Sequence, residues 1–356
     1  MLAETRLGDD PQLRPFGVAG EYGVFDIHTN LTFGVQVYEQ GDVLSIVTVS
    51  GSHGTHVAAI TAANYPDQPE RNGVAPGAQI LSINIGDVRF GGSAYGPGER
   101  RAIAAAARHG VDLVNISYGG SSIYQDGTDH WAEGFKMMVR RYDILTIMSA
   151  GNEGPGLSTA GNAGGEADLI LGVGAHASAE MSKVLYNAID ESPDAALQFS
   201  SRGPTRDGDI GIDIMGPGAA WASLSAETVS ATDMFNGTSM SAPSVSGVAA
   251  LVMSAAKQND MDPRPALMRN ALMLGATPIA GEAIFTTGAG MANAPGAWAK
   301  LKALSGEPAF DVFWDRTMTG GSLFDSGRGL YLREPIDELR RQVRATVSPS
   351  WPESIG

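Results

Sequence analysis

The chain has 356 residues, 43% hydrophobic and 18% charged, enough for one large buried core and an appendage. A net charge of −15 argues against nucleic acid or an anionic membrane as partner, and the absence of cysteine excludes disulfides and a thiol nucleophile. No apolar run reaches the roughly 18 residues of a membrane span, and the opening residues lack the charged start, apolar core and cleavage site of a signal peptide.

Two alternating runs come first, Phe33 to Tyr38 and Val43 to Val49; with Gly41-Asp42 between them they predict a hairpin. His53 follows in Gly-Ser-His-Gly-Thr-His-Val-Ala (Gly51 to Ala58), where a loop enters a small-residue helix. His53 and His56 stand three apart, as two metal ligands can, but no cysteine or glutamate zinc motif accompanies them. No metal or other cofactor is expected, and His56 reads as a structural histidine packed beneath His53.

Apolar strand-like runs then recur at Gln79 to Ile85, Val111 to Ser117, Ile144 to Ser149, Leu169 to Ala175 and Ile212 to Met215. Helical stretches fall between several of them, notably Glu99 to His109 and Trp131 to Tyr142. Continuous apolar strands alternating with helices imply an α/β fold with a mostly parallel sheet covered on both faces. Asn152 follows a buried strand in Ser-Ala-Gly-Asn-Glu-Gly (Ser149 to Gly154), which raises it above an ordinary turn residue. Glu99, beside Arg100 and Arg101, reads as a solvated charge at a helix start.

The octapeptide Asn-Gly-Thr-Ser-Met-Ser-Ala-Pro (Asn236 to Pro243) sets Ser239 just before a helical run, Met240 to Ala256, with Pro243 in its first turn. A hydroxyl there meets unpaired backbone N–H groups and the positive end of the helix dipole, which favour a nucleophile and a developing oxyanion. As a bland alternative Ser239 caps the helix, and Asn236-Gly237-Thr238 also spells a glycosylation acceptor. Leu267 to Leu274 reads as a further helix. After Leu304-Ser305 the pattern shifts to alternating residues (Phe310 to Trp314, Gly329 to Leu332) and then to a charged helix at Pro335 to Val343.

His53, then Asn152, then Ser239, in these local sequences, resembles the subtilisin-like serine peptidases (subtilases). Arg71 to Ile85, Leu113 to Gly119, Ser200 to Pro204 and Arg328 to Pro335 extend the resemblance to the tripeptidyl-peptidase II branch, over roughly Leu13 to Pro335. It implies a three-layer subtilisin-like fold and peptide-bond hydrolysis, with Ser239 as nucleophile, His53 as general base and Asn152 as oxyanion donor. It also implies that Ser117, Tyr118 and Gly119 bind the extended substrate, with Ser149, Ala150 and Gly151 across the cleft. A polypeptide is then the substrate. The branch is cytoplasmic and assembles into large complexes, so a homo-oligomer is expected of a full-length protein; secretion is the alternative if a signal peptide preceded Met1.

The family's triad aspartate, at the end of a hydrophobic strand before a glycine turn, has no match upstream of His53. Asp26, followed by Ile27 rather than glycine, is a weak candidate. The resemblance implies that residues 1–50 are the end of an insertion preceding the histidine, 51–304 the peptidase domain and 305–356 the start of a following region. The chain then lacks the central aspartate-bearing strand, which the family lays between the segments spelled here Gln79 to Ile85 and Val111 to Ser117. A catalytically impaired relative that binds peptides without turnover is the second reading. The branch also grips a free N-terminus with two glutamates, and the matching positions are Ala94 and Gly120, so internal cleavage is as open as tripeptide release.

Overall fold

A computed structural model describes residues 13–305 apart from 26–30, 49–50, 88–92, 95, 123, 190–192, 226–227 and 229. The expectations for Asp26 and for everything beyond Ser305 lie outside the described residues. Its elements, in chain order, are α1 (Phe16–Ala19), β1 (Gly23–Val24), β2 (Thr32–Tyr38), β3 (Val43–Thr48), α2 (His53–Ala62), β4 (Gly86–Asp87), β5 (Ser93–Ala94) and α3 (Gly96–His109). There follow β6 (Leu113–Ile116), α4 (His130–Tyr142), β7 (Leu145–Ser149), α5 (Ala163–Glu166), β8 (Leu171–Ala177), α6 (Ala179–Tyr186) and β9 (Ala195–Ala196). The last are β10 (Ile214–Pro217), β11 (Ala219–Ser223), β12 (Thr232–Asn236), α7 (Thr238–Gln258), α8 (Pro265–Leu274), α9 (Ile284–Thr287) and α10 (Ala294–Leu304).

The chain divides into two compact units: residues 1–59 with 221–234, and 60–220 with 235–356. In the first, β1, β2 and β3 form an antiparallel sheet, and Tyr38 pairs with Val43 across the expected hairpin. The Ser225 hydroxyl donates to Gly51 O at 3.3 Å and lies 3.2 Å from the Thr55 hydroxyl, tying the 221–234 segment to the start of α2.

The second unit is built on a parallel sheet in the order β10-β8-β7-β6, with β9 antiparallel on β8. Side chains alternate across it, as the two-residue period of a strand requires. Leu145 and Ile147 of β7 join Leu171, Val173 and Ile214 on one face, under Val245, Ala249 and Val252 of α7 and Met268 and Leu272 of α8. Met148 and Ile116 point to the other face, with Ile103 of α3 and Phe135 and Met138 of α4. Helices thus cover both faces, the three-layer α/β arrangement the strand–helix alternation predicts. α7 is, among the described residues, the one helix long and apolar enough to cross a membrane, but 67% of that stretch is buried by its packing inside the protein.

Local chemistry places the helix ends. Asp129 caps α4, accepting from Trp131 N at 2.7 Å and Ala132 N at 3.1 Å, while Arg140 and Arg141 occupy its last turn, where cations favour the dipole. α7 begins at Thr238, two residues before the expected start, so Pro243 sits in its second turn rather than its first.

One expected strand does not form. Gln79 to Ile85 is unpaired, and its backbone makes no hydrogen bond among the described residues. Ile80, Leu81 and Ile83 are 51%, 43% and 37% exposed, although a buried parallel strand would hide such residues. The sheet ends at β6, and no described strand lies beyond it. A strand exists only through its neighbours' N–H and C=O groups, so a segment with strand composition and no partner stays irregular. Among the described residues β6 is therefore an edge strand, and 79–85 is an apolar segment without a strand partner.

Two predictions test this packing. In urea unfolding, Ile147→Ala costs about 2 to 5 kcal/mol through the cavity it leaves, whereas Ile80→Ala and Ile83→Ala each cost less than about 0.5 kcal/mol, as exposed positions do. Equal costs would mean that 79–85 is packed. The second concerns Glu166, which is buried in α5. Burial, then the neighbouring Asp129 carboxylate, push its carboxyl from 4.5 up to about 9. It stays protonated in the fold but ionises once unfolded, so unfolding releases a proton and stability falls as pH rises through that window. Glu166→Gln is expected to flatten this part of the Tm-versus-pH curve and raise Tm near its alkaline end; an unchanged curve would refute the assignment.

Candidate active site

Ser239 lies half-buried in the first turn of α7. The residue before that helix, Gly237, has φ +148, a conformation L side chains rarely adopt, which lets the chain turn from β12 directly into the helix. Pro243 has no N–H to give to the carbonyl four residues earlier, that of Ser239. The Ser117 hydroxyl donates to that carbonyl instead, at 2.8 Å. Behind it, Asn115 Nδ2 donates to Ser117 Oγ at 3.0 Å, and the Ser246 hydroxyl donates to Asn115 Oδ1 at 3.0 Å. This relay ties the end of β6 to the first three turns of α7. The Ser239 hydroxyl in turn points to Ser117 O, at a long 3.5 Å.

Asn152 comes to the same helix end from the loop after β7. Its Oδ1 accepts from Thr238 N at 2.9 Å and from the Thr238 hydroxyl at 3.0 Å. A main-chain N–H can only donate, so Oδ1 must face α7 and the Nδ2 donors face away from it. The loop itself is clamped: Gly151 O accepts from Ser201 N at 3.1 Å and lies 3.2 Å from the Thr238 hydroxyl, whose one proton it shares with Asn152 Oδ1. Ser201 Oγ accepts from Glu153 N at 3.1 Å and donates to Glu153 Oε2 at 2.8 Å. Gly154 N adds a bond to Phe199 O at 2.9 Å.

The two expected substrate-binding segments differ. Ser117, Tyr118 and Gly119 continue past the end of β6 on the bare edge of the sheet, with Gly119 exposed. Ser149, Ala150 and Gly151 are buried and already engaged: Ala150 N bonds Val173 O at 3.0 Å, and Asn162 Nδ2 holds Ser149 O at 2.7 Å. Their backbone can wall a cleft but cannot add a strand.

His53 opens α2 and belongs to the first unit, while Ser239, Asn152 and Ser117 belong to the second. Desolvation, then the charge of His56, hold its imidazole below the ordinary value. Within its own unit no described residue gives it a hydrogen bond or a carboxylate partner. His56 is fully buried, with Nε2 3.1 Å from Asp233 O, the structural role expected of it. Among the described residues no group of three or more His, Cys, Asp or Glu side chains is placed to hold a metal ion.

The sequence reading missed Asn115, Ser246 and Ser201 as support for the site, and Thr238 as the group that orients Asn152. Thr238 adjoins Ser239 in the octapeptide, so a signal was present; Ser246 carried none.

Comparison with known proteins agrees with this geometry. The Subtilase family profile matches residues 24–296. The chain is similar to tripeptidyl-peptidase 2 of Arabidopsis thaliana, 40% identical over 92% of this chain and 24% of the relative. It is 35% identical to tripeptidyl-peptidase 2 of Caenorhabditis elegans, over 93% of this chain and 24% of that protein. The chain thus spans about a quarter of the length of these relatives. Among solved structures it is similar to tripeptidyl peptidase 2 (TM-score 0.65, 29% identity, 83% of this chain and 22% of that one). It also resembles the self-cleaved protease domain of PatA (TM-score 0.54, 28% identity, 70% of this chain and 83% of that one). With its profile match, its α/β architecture and its serine-bearing helix end in agreement, this chain belongs to the subtilase family.

Proposed function

We propose that the chain carries the catalytic machinery of a serine peptidase that hydrolyses peptide bonds. Ser239 attacks the scissile carbonyl, and His53 takes its proton and returns it to the leaving amine. The Asn152 amide and the Ser239 backbone N–H hold the tetrahedral oxyanion. The observation that carries this reading is the double donation of Thr238 to Asn152 Oδ1, which leaves the amide N–H group directed away from α7 beside a serine at a helix N-terminus. Family membership and the similarity to tripeptidyl-peptidase 2 support it.

Polypeptide is the substrate, lying along Ser117, Tyr118 and Gly119 against a wall made by Ser149, Ala150 and Gly151. Residues 51–304 form the peptidase domain in this proposal, with 1–50 and 305–356 as flanking regions of a longer protein that self-associates. The second reading, peptide binding without turnover, draws on the absence of a carboxylate partner for His53 among the described residues of its unit.

A fluorophosphonate probe separates the two. The expected outcome is labelling of Ser239 that His53→Ala abolishes, at a rate about 10⁴-fold below that of a complete triad. No labelling of a chain folded by circular dichroism rules out turnover and leaves the binding reading. Asn152→Ala is expected to lower the turnover of a peptide substrate roughly 100- to 1000-fold, the cost known for this donor in a subtilisin. The neutral imidazole is the base, and a lowered pKa keeps it neutral to lower pH. The acid limb of the labelling rate is therefore expected below about pH 6.5, the ordinary imidazole value; a limb above it would contradict the assignment of His53.

A further inference from the structure

Among the described residues of the second unit, Glu99, Glu166 and His176 are buried with neither side-chain polar atom in a hydrogen bond. Glu99, 2% exposed, is not the solvated charge its sequence context predicts, but His130 Nε2 faces it at 3.4 Å. Glu166 has the Asp129 carboxylate beside it. His176 is 3% exposed, and both of its ring nitrogens lack a partner.

His176 stands near the end of β8, opposite Pro217 of β10 on one side and Ala196 of β9 on the other. Its carbonyl accepts from Gly218 N at 2.8 Å, and Gly218 O accepts from Gly237 N at 2.9 Å. Gly237 is the residue at which the chain turns into α7, with Ser239 two positions on. Two main-chain bonds therefore hang the turn of the proposed nucleophile on the strand that carries the imidazole. The junction has no slack: a Cβ on Gly218 would overlap Leu197 Cδ1 and lie 2.8 Å from Ala175 Cβ. Leu197 N in turn bonds Ala175 O at 2.9 Å.

The charges that bear on the ring are Asp194, just before β9, and Glu282, ahead of α9. Both are committed to the backbone. Asp194 Oδ1 accepts from Ala179 N at 2.8 Å, and Glu282 Oε1 from Ala196 N at 3.3 Å. Pro217 and Ala196, across from His176 in the sheet, bring no charge. A neutral imidazole is tolerated in such a place, whereas an imidazolium has two N–H donors to satisfy and is costly. Burial, against the pull of both carboxylates, holds the ring below the ordinary imidazole range. Once the junction opens, the ring takes up a proton below about pH 6.5; closed, it resists until lower pH. The closed junction is thus fully favoured above that value and loses ground as pH falls beneath it.

We propose that His176 is a positioning residue for Ser239: its neutral imidazole keeps the junction of β8, β9 and Gly218 closed, and its protonation in acid releases the turn that presents the nucleophile. The role rests on the peptidase reading and adds to it an acid-sensitive support distinct from the general base.

Hydrogen–deuterium exchange of peptides covering 214–240 reads the junction directly and requires no catalysis. In the parent protein, protection relative to intrinsic exchange is expected to fall about tenfold between pH 7 and pH 5. In His176→Phe and His176→Gln, which stay neutral, the change is expected to be within about twofold, whereas His53→Ala keeps the parent's fall. A merely structural role would lower protection equally at both pH values. In fluorophosphonate labelling, the acid limb of the parent is expected to steepen from the slope of one proton to that of two, and either variant returns it to one. No fall in protection in the parent, a fall that persists in a folded variant, or a one-proton limb in the parent overturns the proposal. Failure of the peptidase reading is seen separately, as absent labelling of Ser239 in a protein whose exchange still follows pH in this way.

Discussion

The donor that Pro243 cannot supply is the constraint around which the Ser239 cluster is arranged. An ordinary helix would satisfy the Ser239 carbonyl from within; here it must be satisfied from outside, and Ser117 does so. That one bond brings the end of β6, and with it the proposed substrate edge, against the turn that carries the proposed nucleophile. Asn115 and Ser246 extend it into a directional chain of hydroxyl and amide donors. A serine in the third turn of α7 thereby helps to orient a residue in the first.

The same helix end orients the loop after β7. Thr238 directs its main-chain N–H and its hydroxyl at Asn152, and Ser201 grips the residues on either side of Asn152, so the amide cannot turn over without losing the bond from Thr238 N. Preorganisation of this kind is what makes an oxyanion donor effective, because the donor does not have to reorient as charge develops. The rigidity is local, however. The sheet that supports it is covered by helices on both faces, and among the described residues β6 is an end strand and the apolar segment 79–85 has no strand partner.

Much of the fold was legible in the sequence for a simple reason. β7 and β8 are buried on both faces, so their residues form largely apolar runs, and α3, α4 and α7 lie between or over them with helical spacing. Elements without that contrast were missed: α6 is short, and β11 and β12 are mixed in composition. The segment 79–85 shows the opposite error. Its composition is that of a strand, but pairing is a property of two segments, and composition reports only one.

The site was legible to the extent that chemistry is written in contiguous residues. The octapeptide around Ser239, the surroundings of His53 and the loop holding Asn152 each declare a residue type at a helix mouth or strand end, and that determined the family and the reaction class. What joins Ser117 to Ser239, or turns the Asn152 amide toward its working orientation, depends on residues 86 to 122 positions apart. Glu99 is the clearest case. Two arginines beside it in sequence imply a solvated carboxylate, yet packing of α3 against α4 buries it, because burial is decided by which helix lies across the side chain and not by its neighbours along the chain.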